Sequence, residues 1–387
     1  MMKKVYKALP AFVFIACITV MLVLYLVLPK EKVSTSEKRI LQEMPELSLS
    51  SYFSGEFKEG FESYISDHAP GRNFWVGANA YYHLLIGQVA TGHATPENGY
   101  TRGIYHGSDG YLINEPQDLS GLMRNIGFIE ECAEHLDVPT TVLIAPSTGY
   151  LCEDKLPALH YTYPDEEYFA QMADVFKSAQ FVDVRDDLRS AYAEGRQVFY
   201  RTDHHWTTSG AYIAYCALAD ALGYAPLAQS EYAITAYDGF YGTTYSSSGY
   251  WMTDPDTIEV WDNKSNDGSL HVTVTDGAEV IEQDELFFYS HLDEDDKYPV
   301  FLDGNHPYTV ITNKNASSDE KLLVVKDSFA HSLVPFLADH YAEIIMVDMR
   351  YWSNPVSELV EQEGIDRVLF LYSIDNLAVD DRIALIE

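Results

Sequence analysis

This sequence predicts an α/β fold on a parallel sheet covered on both faces, and three observations carry the prediction. Short, predominantly apolar runs recur at 140–145, 322–325, 343–347 and 367–371. Strands apolar on both sides belong to sheets buried on both faces, whereas half-exposed strands alternate apolar with polar residues. Segments with helical spacing fall among these runs, at 118–136, 166–179, 207–222, 329–340 and 355–362. Such alternation of strand and helix marks crossover-connected parallel strands. The chain also has the material for a large core, at 387 residues and 47% hydrophobic.

The rhythm breaks once. Residues 238 to 256 are rich in Gly, Ser and Tyr, and strand-like segments continue to about residue 301. That stretch reads as an irregular insertion near a functional site.

The amino terminus has a different character. Lys3, Lys4 and Lys7 precede an apolar run over 8–28, which Pro29, Lys30 and Lys32 close. A run of this length approaches the ~20 residues that carry a helix across a bilayer. Basic residues ahead of it favour a cytoplasmic amino terminus with the remainder outside. No A-x-A site precedes the closing lysines, so a retained single-pass anchor is expected over a cleaved signal peptide. The expected organisation is a membrane anchor over 1–30, a tether with docking helices over 31–90, and the α/β domain over 91–387. Phe53, Phe57, Phe61 and Tyr64, at near-helical spacing, mark one amphipathic helix in the second part.

Charge narrows the partners. With 25 Lys and Arg against 59 Asp and Glu, the formal net charge of -34 argues against a nucleic-acid partner. So acidic a surface repels phosphate backbones. Of the four cysteines, Cys17 lies in the apolar run, and Cys132 and Cys152 flank a strand-like segment. A Cys132–Cys152 disulfide is open to the chain in an oxidising compartment, with Cys216 left over. No C-x-x-C pair suggests a zinc ribbon, and no cofactor is expected.

Two motifs carry chemistry. Tyr200-Arg201-Thr202-Asp203-His204-His205-Trp206-Thr207 lies between an apolar segment and a helix opening near Thr207 or Thr208. An Asp two residues before a His lets its carboxylate reach an imidazole nitrogen, fixing the tautomer and favouring the imidazolium. Val324-Val325-Lys326-Asp327-Ser328-Phe329-Ala330-His331 runs from an apolar strand into a polar turn and then a helix. A serine there stands exposed at the sheet edge, beside helix-start N–H groups suited to an oxyanion. Serine needs an imidazole base within reach, and His205 oriented by Asp203 supplies one. The rival readings are a helix N-cap for Ser328 and a metal site for Asp203, His204 and His205. Adjacent side chains of an extended loop point apart, which disfavours the metal. Trp206 is a wall behind the imidazole or simply core.

These residues carry a resemblance. Asp203-His204-His205-Trp206 with Lys326-Asp327-Ser328-Phe329 resembles the DHHW protein family, which is similar to the SGNH-hydrolase-like domains of periplasmic alginate O-acetylation proteins. The resemblance extends to residues 67–72, Gly110-Tyr111-Leu112 and Val347-Asp348-Met349-Arg350-Tyr351. It implies an SGNH-hydrolase-like three-layer sandwich and assigns the D-x-H-W positions to Asp203, His205 and Trp206, with Ser328 as nucleophile. His204 falls on the variable position and has no assigned role. SGNH enzymes add a Gly and an Asn to the oxyanion site, for which Gly304-Asn305 is the candidate; an Asp-Gly-Asn turn is its plainer reading. Lys326 is expected to orient the loop, and Arg350 to hold a substrate carboxylate or an internal one.

The expected function is an acyl-ester enzyme, an O-acetyltransferase or acetylesterase, acting on a cell-envelope or secreted polysaccharide. A transferase outside the cell needs an acetyl donor, which in the resembled proteins implies a multi-span membrane acyltransferase as partner. A non-catalytic envelope protein that binds glycan or scaffolds a complex is the second reading, and a metal-dependent hydrolase the third.

Overall fold

The computed structural model describes residues 2–34, 36–91, 102–294 and 296–386. The chain divides into two compact units, Met1–Gly87 with Gly249–Trp251, and Gln88–Ser248 with Met252–Glu387. The domain start expected at residue 91 abuts a segment, 92–101, that lies outside the described residues.

In the first unit, α1 (Met2–Val27) contains a 19-residue stretch, Leu9–Val27, with a mean hydropathy of 2.6. It is long and apolar enough to cross a bilayer, and no protein buries it. Three further helices follow, α2 (Leu49–Ser54), α3 (Glu56–Asp67) and α4 (Arg72–Leu85). The single amphipathic helix expected through Phe53 and Phe57 is instead two. Gly55, at φ +91°, takes the left-handed conformation that ends α2, and α3 restarts at once. Phe57 and Phe61 stack along α3. Arg39 clamps Asp67 at the end of α3 through both terminal guanidinium nitrogens, and burial does not keep that carboxyl from titrating below its ordinary value.

The second unit is organised by one eight-stranded sheet. In chain order its strands are β1 (Thr140–Ala145), β2 (Gln180–Val182), β3 (Leu270–Asp276), β4 (Glu279–Gln283), β5 (Tyr308–Asn313), β6 (Lys321–Lys326), β7 (Glu343–Val347) and β8 (Arg367–Ser373). They lie in the order β4-β3-β5-β7-β6-β8-β1-β2. The five from β7 to β2 run parallel, and β5, β3 and β4 extend the other edge antiparallel. The expected insertion is therefore only partly one. Its later strands join the main sheet, while Ala233–Phe240 and Asp256–Asp262 pair as a separate hairpin.

Alternate residues of each central strand feed two apolar clusters. Leu143, Val324, Met346 and Leu369 enter one, whereas Val142, Val325, Ile345 and Phe370 enter the other. Helices Thr208–Leu222 and Arg185–Ala193 cover the first face; Leu122–His135, Asp165–Val175 and Val356–Glu363 cover the second. This is the three-layer α/β sandwich the apolar runs predicted. Each fully buried Leu, Ile or Val adds ~1.5–3 kcal/mol of burial, which explains why these runs read so clearly in the sequence.

Two expectations fail here. Cys132 belongs to one cluster and Cys152 to the other, so the sheet stands between them and the disulfide is ruled out. The helix expected over 329–340 is a five-residue 3-10 turn, Ser328–Ser332, followed by the short helix Val334–Leu337. Pro335 explains the break, because it has no N–H for an interior turn. The apolar segment before the first motif lies outside the sheet: Phe199 and Trp206 form one isolated antiparallel bridge that closes the motif into a tight loop.

Past the carboxyl end of β1, Asp165 accepts hydrogen bonds from the Ser147 N–H at 2.7 Å and the Ser147 hydroxyl at 2.8 Å. Burial, with Asp375 nearby, pushes its carboxyl up to about 6. Because the folded value exceeds the unfolded one, ionisation costs stability as pH rises from about 4 to 6, on the order of 2–3 kcal/mol. Asp165→Asn keeps an acceptor for the N–H and offers a donor to the hydroxyl. The variant is expected to unfold at a higher temperature than the parent at pH 8, and to show no such advantage at pH 4.

Candidate active site

The strand β6 ends at Lys326, and the chain turns sharply through Asp327 into Ser328. Asp327 builds the turn. Its Oδ1 accepts the Phe329 N–H at 2.9 Å, while Oδ2 accepts the Ser373 N–H, the Ser373 hydroxyl and the Asn376 amide at 2.8–2.9 Å. With its lone pairs occupied, Asp327 is a structural carboxylate. Ser328 opens the 3-10 turn, and the first N–H groups of a helix have no intrahelical acceptor.

Asp203, His205 and Ser328 come together despite their distance in sequence. The Ser328 Oγ lies 2.7 Å from His205 Nε2, and His205 Nδ1 lies 2.5 Å from Asp203 Oδ1. Asp203 also accepts the His205 N–H at 2.9 Å, the Thr243 N–H at 2.7 Å and the Thr243 hydroxyl at 3.0 Å. A carboxylate on Nδ1 requires that nitrogen to carry the proton, which leaves Nε2 as the base facing the serine. Thr243 gets this close because Gly242 precedes it: a Cβ on residue 242 would fall 2.1 Å from Asp203 Cβ.

Aromatic rings fix the imidazole from both sides. Tyr298 stacks on His205 with centroids 4.1 Å apart and planes 11° apart, and its hydroxyl donates to the Ser328 carbonyl at 3.0 Å. His204 covers His205 with centroids at 3.9 Å. Trp206 is fully buried beneath the turn, its indole N–H donating to the Phe329 carbonyl and the Ser332 hydroxyl at 3.0 Å each. It staples one motif to the other and takes no part in the cleft wall.

A cleft of about 780 Å³ opens over these groups, and Ser328, His205, Asp203, Gly304, Asn305 and Arg350 are all on its wall. Asn305 turns its carbonyl oxygen to the Arg350 guanidinium at 3.1 Å. Arg350 grips Asp348 at 2.6 and 2.9 Å, so the internal pairing is the one present. Lys326 is buried away from the wall, with Nζ 3.2 Å from Asp348 and 2.8 Å from His331 Nε2. Burial works against the Asp348 carboxylate, yet Lys326 and Arg350 hold it below the usual range. Burial also pushes the Lys326 ammonium down, with Asp348 opposing.

An ammonium has donors only, so His331 Nε2 accepts from Lys326 and Nδ1 carries its proton. Burial and Lys326 keep His331 well below its ordinary value and neutral. Among the described residues its Nδ1 is a buried donor without a hydrogen-bond partner, in a residue on the cleft wall.

Ligand atoms of Asp203, His204 and His205 lie within 4.8 Å of one another. Three of their four imidazole nitrogens and both carboxylate oxygens are already hydrogen-bonded within the protein, leaving His204 Nε2. The donor set does not fit a tetrahedral zinc site, which needs three or four free ligands.

Reasoning from the sequence missed Thr243, Tyr298 and His331. His331 carried a signal, as a histidine in the serine motif itself; Thr243 and Tyr298 carried none, since only the folded chain brings them to Asp203 and His205.

Comparison with known proteins agrees with this architecture. The structure of a DHHW family protein from Eubacterium siraeum superposes with a TM-score of 0.61 at 21% identity, covering 77% of this chain and 97% of that one. Bacillus cereus PatB1 superposes at 0.64, also 21% identical, over 74% of this chain and 100% of that one, and has been solved with a sulfonyl adduct as well. The O-acetyltransferase domain of Pseudomonas putida AlgJ is a weaker likeness, with a TM-score of 0.45 and 15% identity over 72% of this chain and 93% of that one. No curated protein matches the chain. The DHHW resemblance read from the two motifs holds: residues 174–347 match the family model described as DHHW protein, and both motifs lie inside the match.

Proposed function

We propose that this protein is a membrane-anchored, extracytoplasmic acyl-transfer enzyme acting on O-acyl esters of a cell-envelope or secreted polysaccharide. In this reading Ser328 Oγ attacks the acyl carbonyl and His205 Nε2 takes its proton, while Asp203 stabilises the imidazolium. The leaving alcohol departs with that proton and an acyl-serine remains. Water or a sugar hydroxyl then attacks, returning its proton through His205 to Ser328. The Ser328 N–H is the first oxyanion donor, with the 304–305 turn across the cleft as the candidate second.

The observation that carries the reading is the unbroken chain of contacts, 2.7 Å from serine to imidazole and 2.5 Å from imidazole to carboxylate. An N-cap serine has no need of a base, and the cap here is Asp327. The apolar stretch Leu9–Val27 of α1, with Lys3, Lys4 and Lys7 ahead of it, would hold the domain on the extracytoplasmic face of the membrane. A multi-span acyltransferase would then bring the acetyl donor to the same surface.

A sulfonyl fluoride tests this directly, since it forms a stable adduct only with an activated nucleophile. Phenylmethylsulfonyl fluoride is expected to modify the full-length protein in detergent once, at Ser328, with parallel loss of acetate release from p-nitrophenyl acetate. His205→Ala should slow labelling at least roughly 100-fold, the scale of general-base assistance. A label on another residue, or equal labelling of both proteins, would sink the proposal.

A further inference from the structure

His204 has a tautomer fixed by its surroundings, and the fixing leaves one atom over. The Thr243 hydroxyl donates to the Asp203 carboxylate, which can only accept. The 2.6 Å contact between Thr243 Oγ1 and His204 Nδ1 must therefore be donated by the histidine. Nδ1 carries the proton, and Nε2 is left with a bare lone pair. Among the described residues, no hydrogen bond to Nε2 is formed, and the side chain is about one-quarter exposed on the wall that also holds Ser328. Burial, with His205 alongside, pushes the imidazole down to about 3, so it stays a neutral acceptor throughout the working pH range.

We propose that His204 Nε2 is the hydrogen-bond acceptor for a hydroxyl of the acyl acceptor, one carbon removed from the hydroxyl that attacks. This rests on the acyl-transfer reading above. The attacking hydroxyl must give its proton to His205 Nε2, which passes it to Ser328 Oγ as the acyl–Oγ bond breaks and the new ester bond forms. It has no second proton for His204. A hydroxyl bound at His204 is thus a different one, and the acceptor it selects carries at least two, as a sugar does and a simple alcohol does not. The rings of His204 and His205 adjoin, with centroids 3.9 Å apart and planes tilted by 35°, so a hydroxyl held at His204 lies close to the one that attacks, which suits adjacent hydroxyls.

The test uses full-length protein in detergent, p-nitrophenyl acetate as donor, and glycerol or 1-propanol as acceptor. Wild type is expected to acetylate glycerol in preference to 1-propanol. His204→Phe keeps a ring against His205 but no acceptor, and should lose roughly fivefold to tenfold of that preference, the scale of one neutral hydrogen bond. His204→Gln, whose amide can donate to Thr243 and present its oxygen, should recover part of it. The p-nitrophenol release that reports acylation of Ser328 should persist in both variants, slower in His204→Gln, which loses the ring against His205, so the acceptor preference is read as a ratio of products within each variant. If wild type releases p-nitrophenol no faster than Ser328→Ala, the acyl-transfer reading itself fails. Normal release with no glycerol preference, or with a preference untouched in His204→Phe, overturns the role of His204 alone. Loss of the release in both variants also overturns it, because His204 would then serve acylation or the fold.

Discussion

Ser328→Ala is expected to lower acetate release from an activated ester by roughly 10⁴-fold or more, and His205→Ala by a similar factor. The double variant should be scarcely slower than either single one. A nucleophile without its base and a base without its nucleophile are equally idle, so the two losses do not multiply. What rate remains would come from the oxyanion donors and binding alone. Both variants should fold, since neither side chain holds up the core: the turn is built by Asp327, and the loop is stapled by Trp206. Circular dichroism checks the fold, and the initial rate of acetate release checks the chemistry. Rates within threefold of wild type in both would remove the triad.

The largest effect on stability is expected at Asp348. It is fully buried between Lys326, itself fully buried, and Arg350, which is partly exposed. Removing one partner of such a pair leaves an uncompensated charge and costs about 3–5 kcal/mol. Asp348→Ala should therefore lower the urea midpoint sharply at pH 7. Lys326 is pushed down by burial even with its partner present, and without Asp348 its folded value falls further. A lowered folded value means that the penalty is greatest where the unfolded lysine is charged, and fades as pH rises past 10. The deficit of Asp348→Ala should thus shrink between pH 7 and pH 10. Adding Lys326→Met should restore much of the loss at pH 7, because an apolar replacement of both partners is often neutral. A single-variant cost below about 1 kcal/mol would show that the pair carries little weight.

The parts of this molecule legible in its sequence are those set by local rules. The buried strands announced themselves because a sheet covered on both faces has few polar positions: 322–325 has none, and 140–145 has only its two opening threonines. Asp203 and His205 were legible because two residues of spacing suffice for the contact. Ser328 was legible from the strand-to-turn transition on which it sits, although it is buried in the cleft wall and not exposed at the sheet edge as expected. Other features depend on where distant segments land. Thr243 meets Asp203 across 40 residues and Tyr298 meets Ser328 across 30, and no spacing rule reaches that far. The Cys132–Cys152 pairing failed for the same reason: proximity along the chain says nothing about which face of the sheet a residue occupies. The helix after Ser328 was a local error, since Pro335 was there to be read.

The anchoring of Asp327 sets an order in time. Three of the four hydrogen bonds that shape the serine turn come from Ser373 and Asn376. A chain emerging amino end first carries its aspartate and histidine early and its serine later. The serine acquires its final geometry only when residues 373–376 arrive and β8 slots between β6 and β1. A nascent or truncated chain lacking those residues would hold all three side chains without the turn that positions Ser328, and on the acyl-transfer proposal it would be inert.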